Sequence, residues 1–173
     1  MTVVANRREE IRARARALVA AHGVSVAPVP VDRIAKAMGI SVRYAPFEDE
    51  LSGMAFVKDG VRVIAVNALH HPNRQRFTIA HEMAHHVLHA PKLAAGVHVD
   101  KVILRRDMLS TTGTDDLEVE ANTFASELLM PRELIAPVVD QFIDLNDEAQ
   151  LSAVARRFRV SAAALQFRLA SLN

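Results

Sequence analysis

Pro72 and Pro91 bracket the stretch of this chain with the fewest ways to fold. Pro72 suits the first turn of a helix, where its missing N–H is not needed, and Ala90, standing before Pro91, is pushed out of the helical region. Between them Phe77, Ala80, Ala84, Val87 and Leu88 recur at helical spacing and give one apolar face to bury. The pattern therefore predicts an amphipathic helix that starts at Pro72-Asn73 and ends near His89.

His81-Glu82-Met83-Ala84-His85 lies in the middle of that helix. Residues four apart share a helix face, so both imidazoles can reach one metal ion. Glu82 sits one step further round, too far to ligate yet close enough to take a proton from a metal-activated water. A motif of five residues is not specific by itself. The competing reading is a solvated histidine-rich surface, helped by His70, His71, His86 and His89, and the position inside a bounded amphipathic helix favours the metal.

The chain has no cysteine, which excludes thiolate zinc sites, thiol nucleophiles and disulfide frameworks and leaves His, Asp and Glu as strong metal ligands. A hydrolytic zinc site wants three protein ligands, so a third must be found. His89 continues the face of His81 and His85, but it lies about 12 Å from the first along a straight helix, too far to share an ion. The variant with a glycine bend before a third histidine fails as well, because Leu88 and Pro91 stand where that Gly and His would be. His86 and His89 are expected as surface or wall residues.

A later helix, starting at a Thr114 cap with Asp115 and Asp116 in its first turn and running to Leu129, offers Glu118, Glu120 and Glu127. Glu118 is preferred. Asn122 follows it by four residues, placed to hydrogen-bond a metal ligand, while Leu117, Ala121, Phe124, Ala125 and Leu128 form a stripe to bury. Glu120 falls about 160° from the centre of that stripe and reads as solvated.

Elsewhere the sequence predicts a helix from Arg7 to Ala21 stopped at His22-Gly23, with Arg8, Arg12 and Arg16 among Glu9 and Glu10 on a solvated face. Pro28 and Pro30 mark an extended link, with Asp32 as N-cap of a short helix ending at Gly39. Strands are expected at Ile40, Val42 and Tyr44, at Met54 to Val57 and at Val61 to Val66, the last two flanking a hairpin signal at Lys58-Asp59-Gly60. Residues 91 to 113 show little periodicity. Pro137 is expected to interrupt the next helix, and two more follow, around Gln150 to Phe158 and, capped by Ser161, Ala162 to Leu172.

The 21 Lys and Arg against 20 Asp and Glu leave a charge of +1, so no global field favours nucleic acid or an anionic membrane. Apolar runs such as Val63 to Val66 are too short to cross a bilayer, and the residues through Arg16 carry no secretory core, so no membrane association and a cytoplasmic location are expected.

The stretch from Arg76 to His89, followed by Glu118-Val119-Glu120-Ala121-Asn122-Thr123-Phe124-Ala125 and Leu128-Leu129-Met130-Pro131, closely resembles the ImmA/IrrE family of metallo-endopeptidases. Pro30-Val31-Asp32, Ile34-Ala35, Met38-Gly39-Ile40 and Val66-Asn67 extend the resemblance over most of the chain. It implies one zinc held by His81, His85 and Glu118, with Glu82 as general base. It also implies a protein substrate, a helix-turn-helix transcriptional repressor, whose cleavage frees genes of mobile elements or of a stress response. Met83-Ala84 departs from the Leu-Gly of many relatives, and Ala84 keeps the small side chain. The fold expected is α+β, a small mostly antiparallel sheet packed on a helical zincin-like core with a C-terminal helical pair. The chain is expected to be one metallopeptidase domain over 1–173, with N-terminal helices and sheet over 1–69, metal-site helices over 73–131 and C-terminal helices over 132–173.

An edge strand, from Leu51 to Val57 or Val61 to Val66, is expected to pair with an extended substrate. Tyr44, the only tyrosine, reads as a half-buried strand residue rather than an electrophile, and no substrate-binding residue is assigned. The rival class is a DNA- or protein-binding regulatory or toxin-like module with a structural or vestigial metal site. It draws on the helix-turn-helix rhythm of the tail and on Arg156, Arg157, Arg159 and Arg168. Leu151, Val154, Ala155, Phe158, Val160, Leu165 and Leu169 fit packing onto the core better, so direct DNA binding is not expected.

Overall fold

The computed structural model describes residues 3–101, 114–142 and 147–172. In chain order the elements are α1 (Val3–Ala21), α2 (Val31–Ala37), β1 (Ile40–Ala45), β2 (Leu51–Lys58), β3 (Val61–Asn67), α3 (Pro72–Leu88), α4 (Ala90–Ala95), β4 (His98–Lys101), α5 (Thr114–Leu129), α6 (Arg132–Phe142), α7 (Glu148–Phe158) and α8 (Ala162–Ala170). This is the expected α+β fold.

The sheet runs in the order β1-β3-β2-β4. β2 and β3 form the antiparallel hairpin expected from Lys58-Asp59-Gly60, closed by the pair Lys58 and Val61. Asp59 and Gly60 both take positive φ, 51° and 76°, as a two-residue turn matched to strand twist requires. β1 joins β3 in parallel, and β4 joins β2 antiparallel. Neither β2 nor β3 is therefore an edge. Each is paired on both sides, and β1 and β4 are the outer strands, so the expectation of a substrate-pairing edge at Leu51 to Val57 or Val61 to Val66 is corrected.

α3 is the axis of the molecule. It packs on β2 and β3 and on α5, and its residues from Thr78 to His86 are all buried. Ile79, Ala80, Met83 and Ala84 join Ala121, Phe124, Ala125 and Leu128 of α5 in one apolar core that also takes in Ile11 and Ala15 of α1 and Leu165 of α8. A helix with this many polar residues is buried on every side only if those residues have partners, and the partners define the site described below.

Several local expectations are revised. α2 starts at Val31 with Pro30 as N-cap, because Ile34 N already bonds to Pro30 O (3.1 Å) and the Val31 side chain is buried. Asp32 is therefore inside the first turn, where its carboxylate accepts the Tyr44 hydroxyl (2.7 Å). The break after α3 falls at His89, and Ala90 opens α4 with Pro91 in its first turn, where proline is tolerated. α4 and β4 occupy ground that shows no periodicity, while residues 102–113 and the side chain of Thr114 lie outside the described residues. α6 runs through Pro137, since Ile135 is buried and Leu134, Val138 and Val139 pack on the core despite one missing backbone bond.

The C-terminal pair follows its caps. Asp147 accepts from Ala149 N and Gln150 N, and Ser161 Oγ accepts from Ala164 N (3.1 Å). Leu151, Val154, Ala155, Phe158, Val160, Leu165 and Leu169 are all buried. No described helix is long and apolar enough to cross a membrane.

Candidate metal centre

α3 and α5 lie side by side, and the contact brings together three side chains from the two helices. One ligand atom each from His81, His85 and Glu118 fall within 4.8 Å of one another. His81 Nε2 is 3.1 Å from Glu118 Oε2, His85 Nε2 is 3.6 Å from Glu118 Oε1, and the two Nε2 atoms are 3.2 Å apart. The histidines are buried, whereas the Glu118 side chain keeps 17% of its surface exposed, so the cluster is closed from the core and open on one side. Two imidazole nitrogens and a carboxylate oxygen are a donor set that suits zinc, and their mutual distances allow one ion between them.

Glu82 is fully buried beside the two histidines on α3. β2 crosses the helix there. A methyl group added to Gly53 would collide with Thr78 Cγ2, stand 2.8 Å from the Ala65 carbonyl oxygen and lie 3.6 Å from Glu82 Cγ. The glycine is what lets the strand approach this closely.

Each histidine is held from behind. His81 Nδ1 lies 3.0 Å from Asn122 Oδ1, the contact expected from the position of Asn122 on the face of Glu118. His85 Nδ1 lies 3.0 Å from His89 Nδ1. His89 Nε2 in turn lies 3.0 Å from Glu120 Oε2, and Arg7 of α1 donates to both Glu120 oxygens, each at 2.9 Å. The hydrogen bond from Arg7 is the main reason that the Glu120 carboxyl drops from its ordinary 4.5 to about 2. Burial lowers the His89 pKa, with Glu120 acting the other way.

Glu120 is thus bound on both sides rather than solvated, and of the surface or wall positions expected for His86 and His89 the surface one fails, since both are buried. Helical spacing places Glu120 opposite the apolar stripe, but that side of α5 faces α1, whose Arg7 meets it. His86 donates from Nε2 to Val63 O (2.9 Å), pinning α3 to β3, and its burial lowers its pKa. Glu127 is structural: it pairs with Arg168 at 2.7 Å and accepts from Arg132 N at 3.2 Å. The Tyr44 hydroxyl is committed to Asp32.

An apolar cavity of about 640 Å³ opens against the same group of residues. Phe77, Asn122, Ser126, Val160, Ala164 and Phe167 line it. Asn122 is hydrogen-bonded to His81, and the Phe77 ring is 6.3 Å from the His81 ring, so the cavity borders the candidate metal cluster. Its residues come from α3, α5 and the α7–α8 end, a meeting of distant segments that no local pattern announces.

An α+β core in which one helix carries two histidines with a buried glutamate beside them, and a second helix returns a carboxylate, defines a protein built around a candidate His/His/Glu metal centre. Residues 35–170 match the family model of the IrrE N-terminal-like domain, Peptidase_M78, and the chain belongs to that family. It is 30% identical over 166 residues to the radiation response metalloprotease IrrE of Deinococcus deserti, covering 92% of this chain and 53% of that protein. It is 31% identical over 108 residues to the radiation response metalloprotease IrrE of Deinococcus radiodurans, covering 62% of this chain and 30% of that protein. The chain spans about half the length, or less, of these curated relatives. Its fold is similar to that of a Mycobacterium tuberculosis transcriptional regulator, with a TM-score of 0.64 at 19% identity, over 93% of this chain and 46% of the other.

Proposed function

We propose that this chain is a zinc-dependent endopeptidase, a single metallopeptidase unit over 1–173, in which His81, His85 and Glu118 hold one zinc and Asn122 orients His81. The observation that carries the reading is the convergence of the three donor atoms within 4.8 Å, with Glu82 fully buried next to them. Membership of a peptidase family supports it independently.

A zinc ion held there would supply Lewis-acid polarisation of the scissile carbonyl and lower the pKa of a water molecule toward about 7. Glu82 takes the water's proton and returns it to the leaving amine. Burial keeps its carboxylate out of bulk water and held at one place, which favours proton transfer over exchange with solvent. The cavity bordered by Phe77, Val160, Ala164 and Phe167 takes an apolar side chain of the substrate.

The substrate is a helix-turn-helix repressor in the cytoplasm, and its cleavage relieves repression. This part rests on the family resemblance alone. Direct DNA binding is not part of the proposal, because Arg168 of the tail is spent on a buried ion pair.

The test is metal content by elemental analysis after dialysis without chelator. One zinc per chain, lost in His85→Ala and Glu118→Ala, is the expected result, and a parent chain that takes up no supplied zinc rules the reading out. Against a candidate repressor, Glu82→Gln should keep the metal while turnover falls by roughly 10²–10⁴-fold.

A further inference from the structure

The contacts behind His85 fix which of its nitrogens carries hydrogen. Glu120, as a carboxylate, only accepts, and it already takes both Arg7 donors at 2.9 Å. His89 Nε2, 3.0 Å from Glu120 Oε2, therefore carries hydrogen and donates it. A neutral imidazole has one N–H, so His89 Nδ1 is left with a lone pair, and it faces His85 Nδ1 at 3.0 Å. His85 Nδ1 must then be the donor. Its Nε2 is left unprotonated, directed at His81 Nε2 (3.2 Å) and Glu118 Oε1 (3.6 Å).

We infer that Arg7, Glu120 and His89 are positioning residues that set the tautomer and ring orientation of His85, so that its Nε2 is ready for a metal. The inference rests on the proposed metal site and deepens it. Such outer contacts orient ligands and raise their basicity in metal sites generally. Arg7 lies on α1, outside the residues 35–170 that match the family model, so the chain's own N-terminal helix completes the support. The arrangement mirrors the other histidine, where the Asn122 carbonyl oxygen plays the accepting part toward His81 Nδ1.

The experiment uses the full chain loaded with zinc. Dissociation constants are measured by chelator competition for the parent, His89→Leu, His89→Gln and Arg7→Met, and metal-free thermal unfolding is recorded for each. His89→Leu should bind zinc roughly 10–100-fold more weakly. His89→Gln, which still offers an oxygen to His85 Nδ1–H, should recover most of that loss, and Arg7→Met should fall between the parent and His89→Leu. Nitrogen NMR of the zinc-loaded parent should detect hydrogen on His85 Nδ1 and a coupling to His89 Nδ1 across the hydrogen bond. Parent-like affinity in His89→Leu, or absence of that coupling in a parent that does hold zinc, overturns the inference and leaves the metal site standing. A parent that binds no zinc overturns both. If His89→Leu fails to fold, the parent spectrum and the His89→Gln affinity still decide the question.

Discussion

His81 Nδ1 and Asn122 Oδ1 face each other at 3.0 Å, joining α3 to α5 directly behind the candidate metal centre. The amide oxygen can only accept, so the ring nitrogen donates and Nε2 keeps its lone pair for the cluster. Asn122→Ala should weaken zinc binding by roughly 10–100-fold, and Asn122→Asp, which keeps an acceptor oxygen, should lose less. Chelator competition measures both. An alanine variant that holds zinc as tightly as the parent would remove Asn122 from the site.

Gly53 permits the close crossing of β2 over α3 at Thr78 and Glu82. A methyl group there meets the Ala65 carbonyl oxygen at 2.8 Å, and that atom belongs to the neighbouring strand and cannot swing away. Gly53→Ala should therefore cost about 1–3 kcal/mol of stability, seen as a lower urea midpoint with an unchanged slope. It should also slow turnover more than it weakens zinc binding, since Glu82 lies nearer to the added methyl than any of the proposed ligands. An unchanged midpoint would show that the strand has room to retreat.

Arg168 and Glu127 form an ion pair with side-chain exposures of 2% and 1%, at 2.7 Å, and Arg168 Nε also donates to Met130 O at 2.9 Å. This pair ties α8 to α5. Arg168→Met leaves a buried carboxylate with the Arg132 backbone N–H at 3.2 Å and the more distant Arg16 guanidinium at 3.7 Å, and should cost about 3–5 kcal/mol. The double variant Arg168→Met with Glu127→Leu should recover much of that loss, because it removes the stranded charge as well as its partner. If thermal unfolding finds the double variant as unstable as the single one, the cost lies in packing rather than in charge.

The parts of the fold written in local pattern were legible in the sequence. α3 is bounded by prolines, α5 carries an apolar stripe with Glu118 and Asn122 on one face, and Asp59-Gly60 is a turn that two positive φ angles demand. The solvated position expected for Glu120 fails because helical spacing reports only which way a residue points from its own helix. Its partner Arg7 is 113 positions away, and nothing near Glu120 announces it. Distance along the helix argues against His89 as a ligand, and the same repeat of four sets it against His85 Nδ1. α4 and β4 are too short for periodicity to register, and Pro137 shows packing overriding a local breaker.

Tyr44 offers a clean titration. It is the only tyrosine and the chain has no tryptophan, so the alkaline change in tyrosine absorbance reports this residue alone. Although 51% exposed, it donates its hydroxyl to Asp32 at 2.7 Å, and desolvation together with that hydrogen bond and the Asp32 charge raises its pKa above the ordinary 10.0. The folded state therefore holds the phenolic proton more tightly than the unfolded state does. The resulting stabilisation is complete below pH 10 and is lost as pH rises from there through the folded-state value. Tyr44→Phe should be somewhat less stable than the parent at neutral pH and should lack this part of the alkaline decline. Asp32→Ala should bring the absorbance midpoint only part of the way back, because desolvation, the largest cause, remains. A parent midpoint at or below 10.0 would mean that the contact between β1 and α2 does not form in solution.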